Sequence, residues 1–368
     1  MKDVFQIKFT KEKDAEFVKE LKLRVNNYFL DKGITRFANF TMVSKTIILF
    51  IMLLVPYFLM VFNVVDNVWF MMLCWIAIGS AVAGIGMSVM HDANHGAYSK
   101  HKWVNRMLGR VIDLVGGNAT NWKIQHNLLH HTFTNINHVD GDIDAGILMR
   151  FNKEQKRYKM HRFQHFYAWA LYGLMTMQWM TYKDFFQMLR FRKENLNRGV
   201  KRTFWKEYSL MVLAKIFYYT YMVVIPLVFI PFAWWQIVLG ILLMQFVSGF
   251  TLATVFQLAH VMPNTTFEQP NMNLTMEENW VVHQLKTTSD FAQNSNLISW
   301  YVGGLNFQVE HHLFPNICHV HYNKIAEIVE ETAKEYNVVY NKIPTFFGAL
   351  YEHAKQLKEL GKKEVVLA

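Results

Sequence analysis

Residues 68–95 read VWFMMLCWIAIGSAVAGIGMSVMHDANH. The first twenty-three, 68–90, carry no charge; as a helix rising 1.5 Å per residue they reach roughly 34 Å, enough for the hydrocarbon core of a bilayer. The five that follow, His91-Asp92-Ala93-Asn94-His95, put two imidazoles where the helix leaves the lipid. Apolar runs of the same kind occupy 47–65, 209–231 and 236–259. Only Asp66 and Asn67 separate the first pair, and Phe232-Ala233-Trp234-Trp235 joins the second, so the spans read as two hairpins. Lys215 is the one charge inside a run, near an end, where its stem is expected to snorkel to the headgroups.

Working outward, 52% of the 368 residues are hydrophobic and 18% charged, against about a quarter charged in an ordinary soluble protein. A soluble protein with four such helices buried would have to hide too much apolar length behind too little charge. The apolar content excludes disorder and a collagen-like fibre, and the 2 Cys exclude a disulfide framework. The segment 91–208 holds nineteen basic and nine acidic residues while the two outer turns hold no base, which places that segment, and with it both termini, in the cytoplasm. The net charge of +10 is therefore a topology signal; no base-reading or stacking module supports a nucleic-acid partner. No signal peptide is expected, since residues 1–45 mix ten bases with six acids. The domain reading is a cytoplasmic amphipathic segment 1–45, a membrane domain 46–345 and a C-terminal tail 346–368. Stretches 104–117 and 163–180 read as interfacial or partly buried helices. Residues 323–336, with Ile325, Ile328 and Val329 on one side, read as an amphipathic helix over the site or on the membrane.

The 16 His cluster at the span exits. His91 and His95, four apart, share a helix face. In His126-Asn127-Leu128-Leu129-His130-His131, His126 and His130 share a face and His131 is turned about 100° away on an α-helix, where it is expected to reach a second metal. In Gln308-Val309-Glu310-His311-His312, Gln308 lies one turn ahead of the pair, and His260 ends the fourth run. So many imidazoles exceed one metal's coordination; two metals are the economical reading, and nitrogen donors suit redox iron better than calcium or magnesium. Asp92, Asn94, Asn135, Asp140, Asp142, Asp144 and Glu310 are candidates to orient the outer ring nitrogens. A lone helix-end His is ordinarily just solvated or hydrogen-bonded, the reading kept for His101, His138, His283, His319 and His321, while His161 and His165 read as polar positions on an interfacial helix. Together these fit an all-α integral membrane protein, four helices in two hairpins below a cytoplasmic helical cap with a histidine-rich di-metal site.

The motifs His91-Asp-Ala-Asn-His95-Gly-Ala-Tyr-Ser, His126-Asn-Leu-Leu-His130-His131-Thr-Phe-Thr-Asn and Gln308-Val-Glu-His311-His312-Leu-Phe-Pro315 resemble the membrane-bound fatty-acid desaturases. Within them, the pattern is similar to the front-end (Δ5/Δ6) and bacterial linoleoyl-CoA-desaturase-like branch, over about residues 45–345. The resemblance implies a non-haem di-iron centre held by His91, His95, His126, His130, His131, His311 and His312, with Gln308 a weaker or water-mediated ligand and His260 matching an extra His by position. Where relatives place an Asn one turn before that His, this chain has Phe256, with Gln257 beside it. The resemblance further implies O2 as co-substrate, a cis double bond in a long-chain acyl-CoA or membrane acyl-lipid, and a bacterial inner membrane. Residues 1–45 are too short for the fused cytochrome b5 of many front-end enzymes, so a separate donor of ferredoxin or cytochrome b5 type is expected. Lys123, Arg150, Lys153 and Lys156 are candidates for a headgroup phosphate, with topology or lipid contact the plainer reading. Trp122, Trp280 and Trp300 line the cavity or belt the interface. A di-iron hydroxylase would add oxygen where a desaturase removes two hydrogens. A cation transporter would need charges at mid-bilayer, which three of the four runs lack. A lipid-binding protein keeping the metals as structure is the third alternative.

Overall fold

The computed structural model describes residues 6–197 and 200–363. The chain forms two units. One is drawn from Ala38–Ile124 and Trp169–Thr254; the other from the stretch up to Phe37, from Gln125–Ala168 and from Val255 onward.

The first of these holds the membrane helices. Among the described residues, four helices have the length and apolarity to cross a bilayer: Phe40–Val61, Val68–His95, Phe204–Phe229 and Trp234–His260. Their ends differ from the sequence reading for local reasons. Asn63, in the left-handed region at φ 59°, stops the first helix early, and the Asn67 side chain accepts from Trp69 N at 2.8 Å to start the second. The connection is therefore 62–67 rather than two residues. In the second hairpin the Gln236 side chain reaches back to Ala233 N at 3.0 Å, so Trp234 and Trp235 open the fourth helix instead of forming the turn. Small residues let the spans approach closely: a Cβ on Gly79 would lie 2.5 Å from the Met244 carbonyl oxygen, and one on Gly240 2.1 Å from Trp75. Ile51, Phe58, Leu73, Leu213 and Leu239 point outward, as lipid-facing positions should, and Trp69 and Trp234 stand exposed at the span ends.

Lys215 corrects the sequence reading. It does not snorkel: the side chain is buried, and Nζ donates to the carbonyls of Gly116 and Trp179 at 2.6 Å and to Asp184 Oδ2 at 2.7 Å. Asn121 Nδ2 donates to the Asp184 carbonyl at 2.7 Å. One charge thus ties the third span to two connecting segments. Cutting a buried pair on one side leaves the other charge stranded, so Lys215→Met is expected to destabilise the protein by about 3–5 kcal/mol; denaturant unfolding in micelles measures it, and a change below about 1 kcal/mol would contradict this role.

The interfacial stretches are helical. Lys102–Gly109 turns Trp103 and Met107 outward beside Lys102 and Arg106, the arrangement of a helix lying in the headgroup layer. The stretch 163–180 is broken at Leu174 into Gln164–Gly173 and Met175–Gln178. It is partly buried, since a Cβ on Gly249 of the fourth span would lie 2.7 Å from the Gly173 carbonyl oxygen.

In the other unit, helix Ala15–Lys32 buries Phe17, Leu21 and Val25 in one core with Val281 and Leu285 of Trp280–Thr287 and Ile325 and Val329 of Tyr322–Glu335. The predicted amphipathic helix is thus a core element of this unit. Two short parallel strand pairs, Lys8–Phe9 with Thr275–Met276 and Asp290–Phe291 with Lys342–Ile343, pin the connections. The stretch read as a tail forms helix Phe346–Gly361. Its His353 contacts the Val261 carbonyl through Nδ1 at 2.9 Å, and its last carbonyls accept from Arg150 Nη1 at 3.0 Å and Arg157 Nε at 2.8 Å. Two guanidiniums at a helix C-terminus satisfy orphan carbonyls and complement the dipole.

Candidate metal centre

The second His motif does not wind as an α-helix. Lys123–His130 forms a π-helix, and His131 N donates to the His126 carbonyl at 3.0 Å, five residues back. The wider turn corrects the expected facing: His131, instead of pointing away, brings its Nε2 to 3.2 Å from His126 Nε2. His130 is fully buried, and its Nδ1 bonds Asp140 Oδ2 at 2.8 Å, which leaves Nε2 as the inward nitrogen. Burial alone would lower the His130 pKa; the charge and hydrogen bond of Asp140, with Asp142 behind, outweigh it and hold it above the ordinary value.

The third motif lies on the short helix Gln308–Leu313. Asp290 Oδ1 accepts from Val309 N at 2.9 Å and so caps its first turn. His312 donates through Nδ1 to Gln284 Oε1 at 2.7 Å, and His311 Nδ1 lies 3.4 Å from the Tyr322 hydroxyl. His260, at the end of the fourth span, approaches Gln308 Nε2 with its own Nε2 at 3.0 Å. The result is two triads. Ligand nitrogens of His130, His260 and His312 all lie within 4.8 Å of one another, and so do those of His131, His311 and His312. His312 belongs to both. The His126 ring stacks on His311 with centroids 5.7 Å apart.

These residues fit a metal centre by their own geometry. His130 Nε2 is buried without a hydrogen-bond partner, a state that costs free energy in a closed core and that a cation would relieve. Two imidazole Nε2 atoms facing each other at 3.2 Å make a further pair of lone-pair donors aimed at common ground. The triads are all imidazole, a donor set suited to iron, copper or zinc.

The other candidates divide. His91 and His95 stand together on the exit of the second span, rings 4.8 Å apart, with Trp122 edge-on to each at 5.5 and 5.6 Å. His91 Nδ1 lies 3.7 Å from Asp92 Oδ1, and His126 Nδ1 3.8 Å from Asp142 Oδ2, a looser version of the His130–Asp140 contact. Asn94 instead ties its helix to the Gly109 carbonyl at 3.0 Å. Asn135 donates to the carbonyls of His260, Thr266 and Thr287, bracing backbone rather than a ring. Glu310 faces away from the histidines. It accepts from the Tyr340 hydroxyl at 3.1 Å, and burial, reinforced by Asp290, pushes its carboxyl well above the usual range. Asp144 only closes a turn onto Gly146 N. Arg150 is a buried helix cap, which removes it from the headgroup candidates, while Lys123, Lys153 and Lys156 are exposed. Trp280 donates from Nε1 to the His131 carbonyl at 3.2 Å, and Trp300 is half-buried. Phe256 packs its ring 5.0 Å from His130 and 4.7 Å from His260. His283 is a structural histidine: Nε2 meets the Thr134 carbonyl at 2.8 Å, and burial lowers its pKa to about 4. His161 is buried rather than interfacial, with Nε2 on the Ile147 carbonyl at 2.9 Å.

Sequence reasoning missed Gln284, which meets His312 from outside any motif, and gave no role to Thr134, which meets it from the end of the second. The only hint was positional. Trp280, His283, Gln284 and Thr287 fall at i, i+3, i+4 and i+7, a polar-edged stripe on a helix that is buried over most of its surface.

Residues 66–344 match the fatty acid desaturase family. The chain belongs to that family. It is 36% identical over 353 residues to an sn-1 linoleoyl-lipid 6-desaturase of Arthrospira platensis, covering 96% of this chain and 95% of the relative. A protein of the same description from Synechocystis is 34% identical over 358 residues, covering 97% and 98%. An acyl-lipid (8-3)-desaturase of Physcomitrium patens is 32% identical over 364 residues, covering 97% of this chain and 74% of that one. Its front-end branch resemblance is thereby upheld, and its chemistry is desaturation of a fatty acyl chain by a multi-pass membrane oxidoreductase. Neither the hydroxylase nor the transporter reading gains support from these relatives. Family membership implies metal-dependent catalysis, and the histidine groups described above could hold a metal.

Proposed function

We propose that this desaturase places a cis double bond at carbon 6 of an acyl chain carried on a membrane glycerolipid, with two non-haem irons and O2. The observation that carries the reading is the pair of imidazole triads sharing His312; the substrate class rests on relatives named for lipid-linked linoleoyl chains and position 6. Bound iron, with O2 and two electrons from a donor, supplies the oxidising power to take a hydrogen from each of two adjacent methylenes, which side chains cannot do, leaving an alkene and two waters. The proposed ligands are His126, His130, His131, His260, His311 and His312, with Gln308 beside them. His91 and His95 join on the strength of the motif resemblance.

The protein's own part is placement. Asp140 and His312's partner Gln284 hold the Nδ1 protons, so both Nε2 lone pairs point inward. Phe256 covers the edges of His130 and His260 with hydrocarbon, which excludes water from that side. A methylene chain offers nothing polar to read, so bond position follows from the distance between an anchored headgroup and the metals; Lys123, Lys153 and Lys156 are the proposed headgroup contacts. The excess of basic residues in 91–208 supports a cytoplasmic location for both termini, and a bacterial inner membrane is the proposed setting. The same basic segment suits docking of a separate acidic carrier of ferredoxin or cytochrome b5 type.

Expression in a host without desaturases, fed linoleate, tests this directly. Mass spectrometry of intact lipids should find glycerolipids lighter by two hydrogens, with the new bond at carbon 6. A product heavier by one oxygen would mean a hydroxylase, and an unchanged lipid profile with donor present would contradict the assignment.

A further inference from the structure

Helix Trp280–Thr287 lies outside every histidine motif, yet one face of it grips two of them. Trp280 holds the His131 carbonyl at 3.2 Å, His283 the Thr134 carbonyl at 2.8 Å, and the Thr287 carbonyl accepts from Asn135 at 3.2 Å. Between them stands Gln284, fully buried, with Oε1 at 2.7 Å from His312 Nδ1 and 2.8 Å from the Thr134 hydroxyl. Thr134 in turn bonds the His130 carbonyl at 2.7 Å. Gln284 therefore bridges the second motif to the third, at the histidine common to both triads.

Resting on the metal-centre reading above, we propose that Gln284 is a positioning residue that fixes the ring orientation and tautomer of His312. The orientation of the amide carries the step. With Oε1 toward His312, the imidazole must carry its proton on Nδ1, which leaves the Nε2 lone pair for the centre. The reversed amide would aim its NH2 group at His312 Nδ1, forcing the ring proton onto Nε2 and blocking ligation there. In the first arrangement the Thr134 hydroxyl shares its single proton between the His130 carbonyl and Oε1, so the contact that fixes the tautomer is the 2.7 Å one from His312 Nδ1 to Oε1. Because His312 serves both triads, a lost orientation weakens both metals together.

The test compares Gln284→Met, which keeps length but removes the acceptor, with Gln284→Glu, which restores an acceptor oxygen. Cobalt(II) loaded into the full-length protein in detergent supplies a visible ligand-field spectrum, and chelator competition supplies affinity. Gln284→Met is expected to lose about 10–100-fold in metal affinity with an altered cobalt spectrum, while Gln284→Glu stays within about threefold of the parent. Equal affinity and spectrum in Gln284→Met and parent would overturn the proposal. So would equal losses in both variants, which would make Gln284 a packing residue. A parent that takes up no metal would instead overturn the metal-centre reading itself, and this inference with it.

Discussion

Replacing His312 by Ala is expected to leave a chain that inserts into membranes but forms no unsaturated product and keeps almost no tightly held metal. His312 contributes to both imidazole triads, so its loss opens both at once, whereas His260 contributes to one. His260→Ala should accordingly retain about half of the parent's metal, since the His131–His311–His312 set is left whole. Metal analysis of the two variants beside lipid profiling checks the asymmetry. Full metal content and activity in His312→Ala would remove the basis for a shared ligand. Collapse of the fold is not the expected cause, because the ring occupies a polar cluster rather than the apolar core of its unit.

Asp140→Leu is expected to be nearly as damaging, although Asp140 belongs to neither imidazole triad. Its carboxylate orients His130 at 2.8 Å and also accepts from the backbone N–H groups of Asn135 at 3.1 Å and Asp142 at 3.0 Å. Removing it frees the His130 ring and leaves two N–H donors without their acceptor. Loss of an orienting carboxylate behind a metal-binding imidazole costs about 10–100-fold in affinity. Turnover should fall in step with metal content, and excess iron should restore part of it. Unchanged metal affinity would show that the His130–Asp140 contact is only structural.

The spans were legible in the sequence because apolar length is a one-dimensional signal, and the histidine motifs because exits and spacings are too. What escaped depends on three dimensions. An α-helical reading of 126–131 turned His131 away, and only the π-helix, with its five-residue hydrogen bond, brings it beside His126. Lys215 looked like a snorkelling end residue until Asp184, thirty-one positions earlier, supplied its partner. Arg150 looked like a phosphate contact, but its guanidinium bonds the nearby carbonyls of Lys153 and Gln155 and, two hundred residues on, that of Leu360, in a stretch with no apolar run to mark it. Gln284 gave no chemical signal at all, since a glutamine on a short helix is ordinarily a surface residue.

X-ray absorption at the iron edge, on protein purified with its native metal, tests the centre most directly. A shell of nitrogen and oxygen neighbours with the multiple scattering of imidazole, at close to two irons per chain, is the expected result. A sulfur shell, or full desaturase activity in protein carrying well under one metal per chain, would contradict it.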